Sequence, residues 1–274
     1  NRLRLLLSGI FNTLEDKIIQ DFYQSLEHNE PISKYIDLRQ QMIDDNSSTS
    51  IIYGRILNQL SANSKYPDSL TYYFERINQI LISTDASIII DDENCIEKVK
   101  KQYNLLNINR REDINYSIGG ISWAYFKSKN YHKSFDYAHL AYELNKKMRS
   151  SQGVSIYGVL TGDCLVRIKT SADSEIENHF EELFYTLDSY PSTSIESLLL
   201  VIIKWISFYE SNNLKSDKLK YVIDNFDTKY CVNNIINIKT SFLFRRDSDN
   251  YKLFSELQSN NSFINFLTKI EIFE

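Results

Sequence analysis

An all-α fold is predicted by three observations on this 274-residue chain. Only 7 Gly and 3 Pro are present, too few breakers for the many tight turns of a β-sandwich or barrel. Apolar residues make up 42 % and charged residues 24 %, a balance that can bury a large core under helices joined by short polar loops. The third observation is the stretch Ala124 to Asn145, AYFKSKNYHKSFDYAHLAYELN, where small and aromatic residues sit at fixed spacings. With Tyr131 at the seventeenth position of a 34-residue unit, Tyr125 falls at the eleventh, Ser134 at the twentieth, Ala138 at the twenty-fourth and Ala141 at the twenty-seventh. Ile118 and Ile121 then take the fourth and seventh. The small residues leave room for one helix to lie close against another, and the tyrosines fill the wedge between them. These are the size constraints of a tetratricopeptide (TPR) repeat, so the expected architecture is a TPR-like right-handed helical solenoid.

The chain reads as one array over 1–274, with N-terminal helical hairpins over 1–110, TPR-like repeats over 111–228 and capping or dimerisation helices over 229–274. Helices are expected at residues 2–11, 13–28, 32–44, 48–62, 67–83 and 92–106. Pro31 and Pro67 stand near helix starts, where a missing N–H costs least. The fifth helix ends in the polar turn Ser83-Thr84-Asp85, and Ile88-Ile89-Ile90 in the following loop is compatible with an extended strap. Gly119-Gly120 reads as a helix-packing or bend site, because no strand precedes it to form a phosphate loop. Beyond the repeat, Ser155 to Ile168 and Asp173 to Asp188 form a second hairpin closed by Pro191, and Ser194 to Glu210 with Ser216 to Phe226 forms a third.

The most apolar run, Leu198 to Phe208 (LLLVIIKWISF), is interrupted by Lys204 and is too short to span a bilayer, so it reads as a buried helix. Helices over 232–244, 250–257 and 262–272 complete the chain. Phe263, Phe266, Leu267, Ile270 and Phe273 carry too much apolar surface for a solvated end cap. They are expected to fold back on the array or to meet a partner subunit, with Phe263, Phe266, Ile270 and Phe273 as the dimerisation set.

A net charge of −5 argues against a nucleic-acid grip within this segment, since phosphate binding needs clustered, uncompensated Lys and Arg. The pairs Lys100/Lys101, Lys146/Lys147 and Arg245/Arg246 all have acidic neighbours and read as solvated helix faces. Cys95, Cys164 and Cys231 are too few and too dispersed for a zinc site or a disulfide framework, which points to a reducing cytoplasm. His28, His132, His139 and His179 lack paired ligand spacing, and no GxxxxGK[ST], GxGxxG or GxSxG occurs. The expectation is recognition rather than catalysis, with no metal or cofactor. An abundance of Asn supplies side chains able to clamp a peptide backbone, although most Asn in such a chain serve loops and caps.

The repeat around Trp123 to Arg149, the segment Leu160-Thr161-Gly162-Asp163-Cys164-Leu165-Val166 and the late segment Phe244-Arg245-Arg246-Asp247-Ser248-Asp249-Asn250-Tyr251 resemble the RNPP-type peptide-sensing regulators of Gram-positive bacteria and their phages. The likeness is closest to the arbitrium-receptor (AimR) branch and is best over residues 115–274. It implies a short signalling peptide held in the concave face of the array, a homodimer, and DNA bound through an N-terminal helix-turn-helix. Arg149, Asp163, Val166 and Asp249 are the implied peptide-lining residues. Trp123 and Lys127 stand where the family shows Asn, and Asp163 replaces an amide. Near Asn1 only Arg2 and Arg4 offer basic charge, so the helix-turn-helix is not seen in this chain, which reads as a fragment. Two other readings stay open. One is a Rap-like response-regulator phosphatase using Gln20, Gln24, Gln40 or Gln41; the other is a plain TPR scaffold.

Overall fold

The computed structural model describes residues 14–82, 84, 89–168, 173–191, 193–211 and 217–224, with the isolated positions 252, 255–257 and 264. Among them every regular element is helical: α1 Leu14–Glu27, α2 Ile32–Asp44, α3 Ile51–Asn63, α4 Asp68–Leu81, α5 Cys95–Gln102, α6 Ile108–Lys127, α7 Tyr131–Met148, α8 Ser151–Arg167, α9 Asp173–Asp188, α10 Ile195–Ser211 and α11 Asp217–Asp224. A short 3-10 turn, Tyr103–Leu105, follows α5. The chain divides into two compact units, Asn1–Asn130 and Tyr131–Glu274.

The helix boundaries follow from capping. Ser50 Oγ accepts the Tyr53 N–H at 3.2 Å and opens α3, Asn107 Oδ1 accepts the Arg110 N–H at 3.0 Å and opens α6, and Ser150 Oγ accepts the Gly153 N–H at 3.3 Å and opens α8. The helix expected over 92–106 starts only at Cys95, because the Asp91 carboxylate takes the N–H groups of Glu93 and Asn94 at 3.0 Å each and holds that stretch as a turn. Four helices end in the same way. Asn29, Asn46, Lys129 and Arg149 have φ of 51, 55, 65 and 53°, and the residue after each donates its N–H back to the carbonyl of Ser25, Met42, Tyr125 and Asn145 respectively. This double turn satisfies carbonyls that the helix would otherwise leave bare. Left-handed ends are thus met by Asn, Lys and Arg, and among the described residues no glycine has a positive φ.

Glycine serves close approach instead. On α6 a Cβ at Gly120 would stand 2.1 Å from the Tyr73 ring of α4, so this position is the packing site that the Gly119-Gly120 pair announced.

In the first unit, α1 through α4 pack in sequence-adjacent pairs, and α6 lies on α3 and α4. Ile18, Phe22, Tyr35, Leu38, Met42, Ile56, Leu57 and Leu60 form one core there. Beside it, Arg39 grips Glu75 with Nε and Nη, and the Tyr53 hydroxyl donates to the same carboxylate. Burial, then the bond to Glu75, pushes the Tyr53 phenol far above its usual range, so it stays a donor.

In the second unit, α8 packs on α7, α9 and α10, and α10 packs also on α9 and α11. α10 is buried on every described side from Ser197 to Ile203, which is why its sequence lacks an amphipathic stripe. Trp205 is fully buried and stacks on Phe180 with ring centroids 6.4 Å apart. Leu257, one of the few described positions near the C-terminus, belongs to this same core.

The pairs expected beyond Ser155 are present, α8 with α9 and α10 with α11. The two helices of the predicted repeat, α6 and α7, fall in different units, and within its own unit α7 pairs with α8. Ser134, Ala138 and Ala141 are fully buried, and Cys164 Sγ of α8 donates to Ser134 Oγ at 3.1 Å. Of this stripe, Ser134 meets another helix closely, and that helix, α8, lies on the C-terminal side. Helices expected over 2–11, 232–244, 250–257 and 262–272 lie outside the described residues or touch them only at isolated positions.

Candidate functional site

Of the sequence-predicted peptide residues, Asp163 and Val166 lie on α8 and Arg149 stands just before it, while Asp249 is outside the described residues. Ser150 starts this helix beside the tight turn at Arg149, and Gln152, Ile156, Val159, Asp163 and Val166 follow at intervals of three and four, which puts them on one face. Gln152 and Val166 are exposed, Ile156 and Asp163 half-buried, and Val159 buried. Along the face the apolar Ile156 and Val159 are thus flanked by Gln152 and Asp163, with the apolar Val166 beyond Asp163.

Asp163 does not stand alone. Its Oδ2 accepts a hydrogen bond from Lys204 Nζ of α10 at 2.9 Å, with the two side chains 22 % and 18 % exposed. Lys204 sits in a helix otherwise sunk in the core, so its ammonium must reach the edge of the core and find a carboxylate there. The sequence reading noted this lysine as an interruption and missed it as a partner. The signal was available: a lone cation inside LLLVIIKWISF demands an acidic neighbour from another helix.

Near the C-terminal end of α8 the Arg167 guanidinium lies over the Tyr131 ring at 5.5 Å. Arg149 takes the left-handed position that ends α7, and its side chain is exposed. Close by, the Tyr190 hydroxyl donates to the Lys146 carbonyl at 3.4 Å; burial raises this phenol's pKa against the opposing charges of Lys146 and Arg149. From Ser151 to Asp163 the helix rises about 18 Å at the usual 1.5 Å per residue. Arg149, in the turn before α8, and Asp163 are thus separated along the helix axis by about this length, which an extended peptide of about six residues spans.

Two further side chains in this unit look reactive by type but are held inert. Burial pushes the Cys164 thiol up to about 11, outweighing its bond to Ser134. His179 donates from Nε2 to the Gly158 carbonyl at 2.7 Å, and burial lowers its pKa against the pull of that bond and of Glu182. His139 stacks flat on Phe135, with centroids 5.8 Å apart. Among the described residues no three His, Cys, Asp or Glu side chains come together as a metal-ligand set, and no helix is long and apolar enough to cross a membrane.

Asp249, Phe263, Phe266, Ile270 and Phe273 lie outside the described residues. Trp123 and Lys127 are exposed on α6, in the first unit. Gln20 and Gln24 are exposed one turn apart on α1; on α2, Gln40 donates to Asp44 at 2.8 Å and Gln41 is exposed. Several of the described Asn residues do backbone work: Asn29 and Asn46 end helices, Asn107 opens one, and the buried Asn145 amide donates to the Ala141 carbonyl at 2.8 Å.

No family model matches the sequence, and comparisons with curated proteins and with solved structures find no match either.

Proposed function

We propose that this chain is the sensory part of a peptide-responsive transcription regulator of the quorum-sensing or arbitrium type, controlling phage lysis or lysogeny in the cytoplasm of a bacterial host. In this reading the helices form a TPR-like right-handed array that binds a short signalling peptide and does no chemistry of its own. It acts as a homodimer through its C-terminal residues and reaches DNA through an N-terminal helix-turn-helix outside this chain.

What supports the proposal is the stretch of about 18 Å that runs from the turn at Arg149, just before α8, to the Asp163–Lys204 pair on that helix. An Arg can hold a terminal carboxylate through two parallel hydrogen bonds, and a half-buried Asp can exchange its internal lysine for a cationic group on the peptide. The apolar Ile156 and Val159 between them suit a peptide's aliphatic side chains. Peptide binding would shift the population of array conformations and so the placement of the DNA-binding heads.

The test is calorimetric titration with synthetic peptides of about five to eight residues, matching the C-terminal tails encoded by short reading frames beside the gene. Saturable binding that raises the melting temperature, and that is weakened by both Arg149→Ala and Asp163→Asn, is expected. If no such peptide binds, the reading fails and a plain protein-binding scaffold takes its place.

A further inference from the structure

The first unit contains a polar cavity of about 600 Å³ that the peptide reading does not use. It opens among α3, α4 and α6, and its wall includes Arg55, Arg76, Arg110 and Asp113, with Asn58 and Gln79 as neutral polar groups. Three arginines and one acid line it, in a chain whose overall charge is −5; the Arg55 guanidinium is held over the Tyr23 ring and donates to its hydroxyl, while Arg76 bonds Asp113. The residues that open α3 and α6, including Ser50, Ile51, Asn107 and Asn109, also line it. The first-turn N–H groups of a helix have no intrahelical acceptor, and the helix dipole adds positive potential at that end.

Arg76 is the centre of the arrangement. It is 9 % exposed, bonds Gln79 and Asp113 with its terminal nitrogens, and keeps a buried Nε that no described group accepts from. Arg110 crowds it with like charge, and burial and that repulsion both lower its pKa against the pull of Asp113. Arg110 itself stands in the first turn of α6, where a cation is unfavourable against the dipole. Local choices that break such rules are what a binding site would explain.

We propose that this cavity binds a small ligand bearing an oxyanion, a carboxylate or a phosphate, with Arg76 and Arg110 as its cationic clamp. An anion between the two guanidinium groups offsets their repulsion and accepts from N–H groups at the two helix starts. A volume of about 600 Å³ is that of a small-molecule site, so the ligand has a body beyond its anionic group. Ile51 and Ile80 give that body an apolar wall. Gly54 supports the clamp: a Cβ there would stand 2.0 Å from Arg76 Nη1 and 2.5 Å from its Cζ, so any larger residue displaces the guanidinium.

Thermal unfolding in sodium phosphate, sodium succinate and sodium chloride at matched ionic strength tests the proposal on the full chain. Phosphate, succinate or both should raise the melting temperature saturably above the chloride control. Arg110→Gln, an exposed change that removes a cation from a helix start, should leave the chloride value equal or higher and weaken the anion at least tenfold. Gly54→Ala should weaken it similarly. A response to phosphate alone assigns a phosphoryl ligand, and a response to succinate assigns a carboxylate. No anion-specific shift, or one that persists undiminished in Arg110→Gln, overturns the site. Peptide binding at α8 is read separately, so failure of either proposal leaves the other standing.

Discussion

Removing Asp163 tests how the core of the second unit tolerates its one interrupting charge. At an N···O distance of 2.9 Å the attraction to Lys204 is about 5 to 6 kcal/mol before desolvation, taking an effective dielectric of about 20. Much of this is offset by the cost of drawing both groups from water. Asp163→Ala leaves an ammonium on a helix that is buried along most of its length. Full burial of an unpaired charge costs about 3 to 5 kcal/mol, and the 18 % exposure of Lys204 lets part of it relax to solvent, so about 2 kcal/mol is expected. Lys204→Met keeps the apolar stem and removes the charge, and should change stability by less than about 1 kcal/mol. In the Lys204→Met background Asp163→Ala should then cost little, giving a coupling of about 1 to 2 kcal/mol. Equilibrium unfolding in urea, followed by the fluorescence of Trp205 in a Trp123→Phe background, reads this unit. A loss under about 0.5 kcal/mol for Asp163→Ala, or strictly additive losses, would refute the reasoning. The same background separates roles: peptide affinity lost on Asp163→Ala when Lys204 is already Met comes from the ligand contact and not from a weakened core.

Arg149→Gly should stabilise the chain by about 0.5 to 1 kcal/mol, because φ of 53° is free of Cβ strain only for glycine, while lowering peptide affinity if the guanidinium holds the ligand; unfolding and calorimetry measured together decide it. His179 favours its neutral form in the fold, so its contribution is complete above the unfolded-state pKa of about 6.5 and is lost as pH falls through that value towards the lower folded pKa. Stability at pH 5 relative to pH 7 should drop less in His179→Gln than in the parent protein. Cys164, held near 11, should stay unmodified by a thiol reagent at pH 8 in native Cys231→Ser protein and react once urea unfolds it. Light scattering should show a dimer at micromolar concentration that Phe266→Asp dissociates, and a monomer before and after the change would remove the C-terminal dimer.

The sequence alone determined the helical class and most helix positions, since these depend on local terms. α2 and α9 fall at the residues read from apolar spacing, Pro31 and the polar ends, and the caps at Ser50, Asn107 and Ser150 explain small shifts elsewhere. Burial of Leu198 to Ile203 was legible because a helix that is apolar on every side has nowhere to go but inside. The tertiary structure decided which helices meet. Ser134, Ala138 and Ala141 state that another helix comes close, yet a small residue carries no address, and α7 pairs with α8 within its unit. The Asp163–Lys204 pair joins residues 41 positions apart, and the clamp of Arg76, Arg110 and Asp113 joins two helices across 37. Such pairs leave no periodic trace, because charge partners are chosen by where the packed backbone places them, and only burial makes the choice matter.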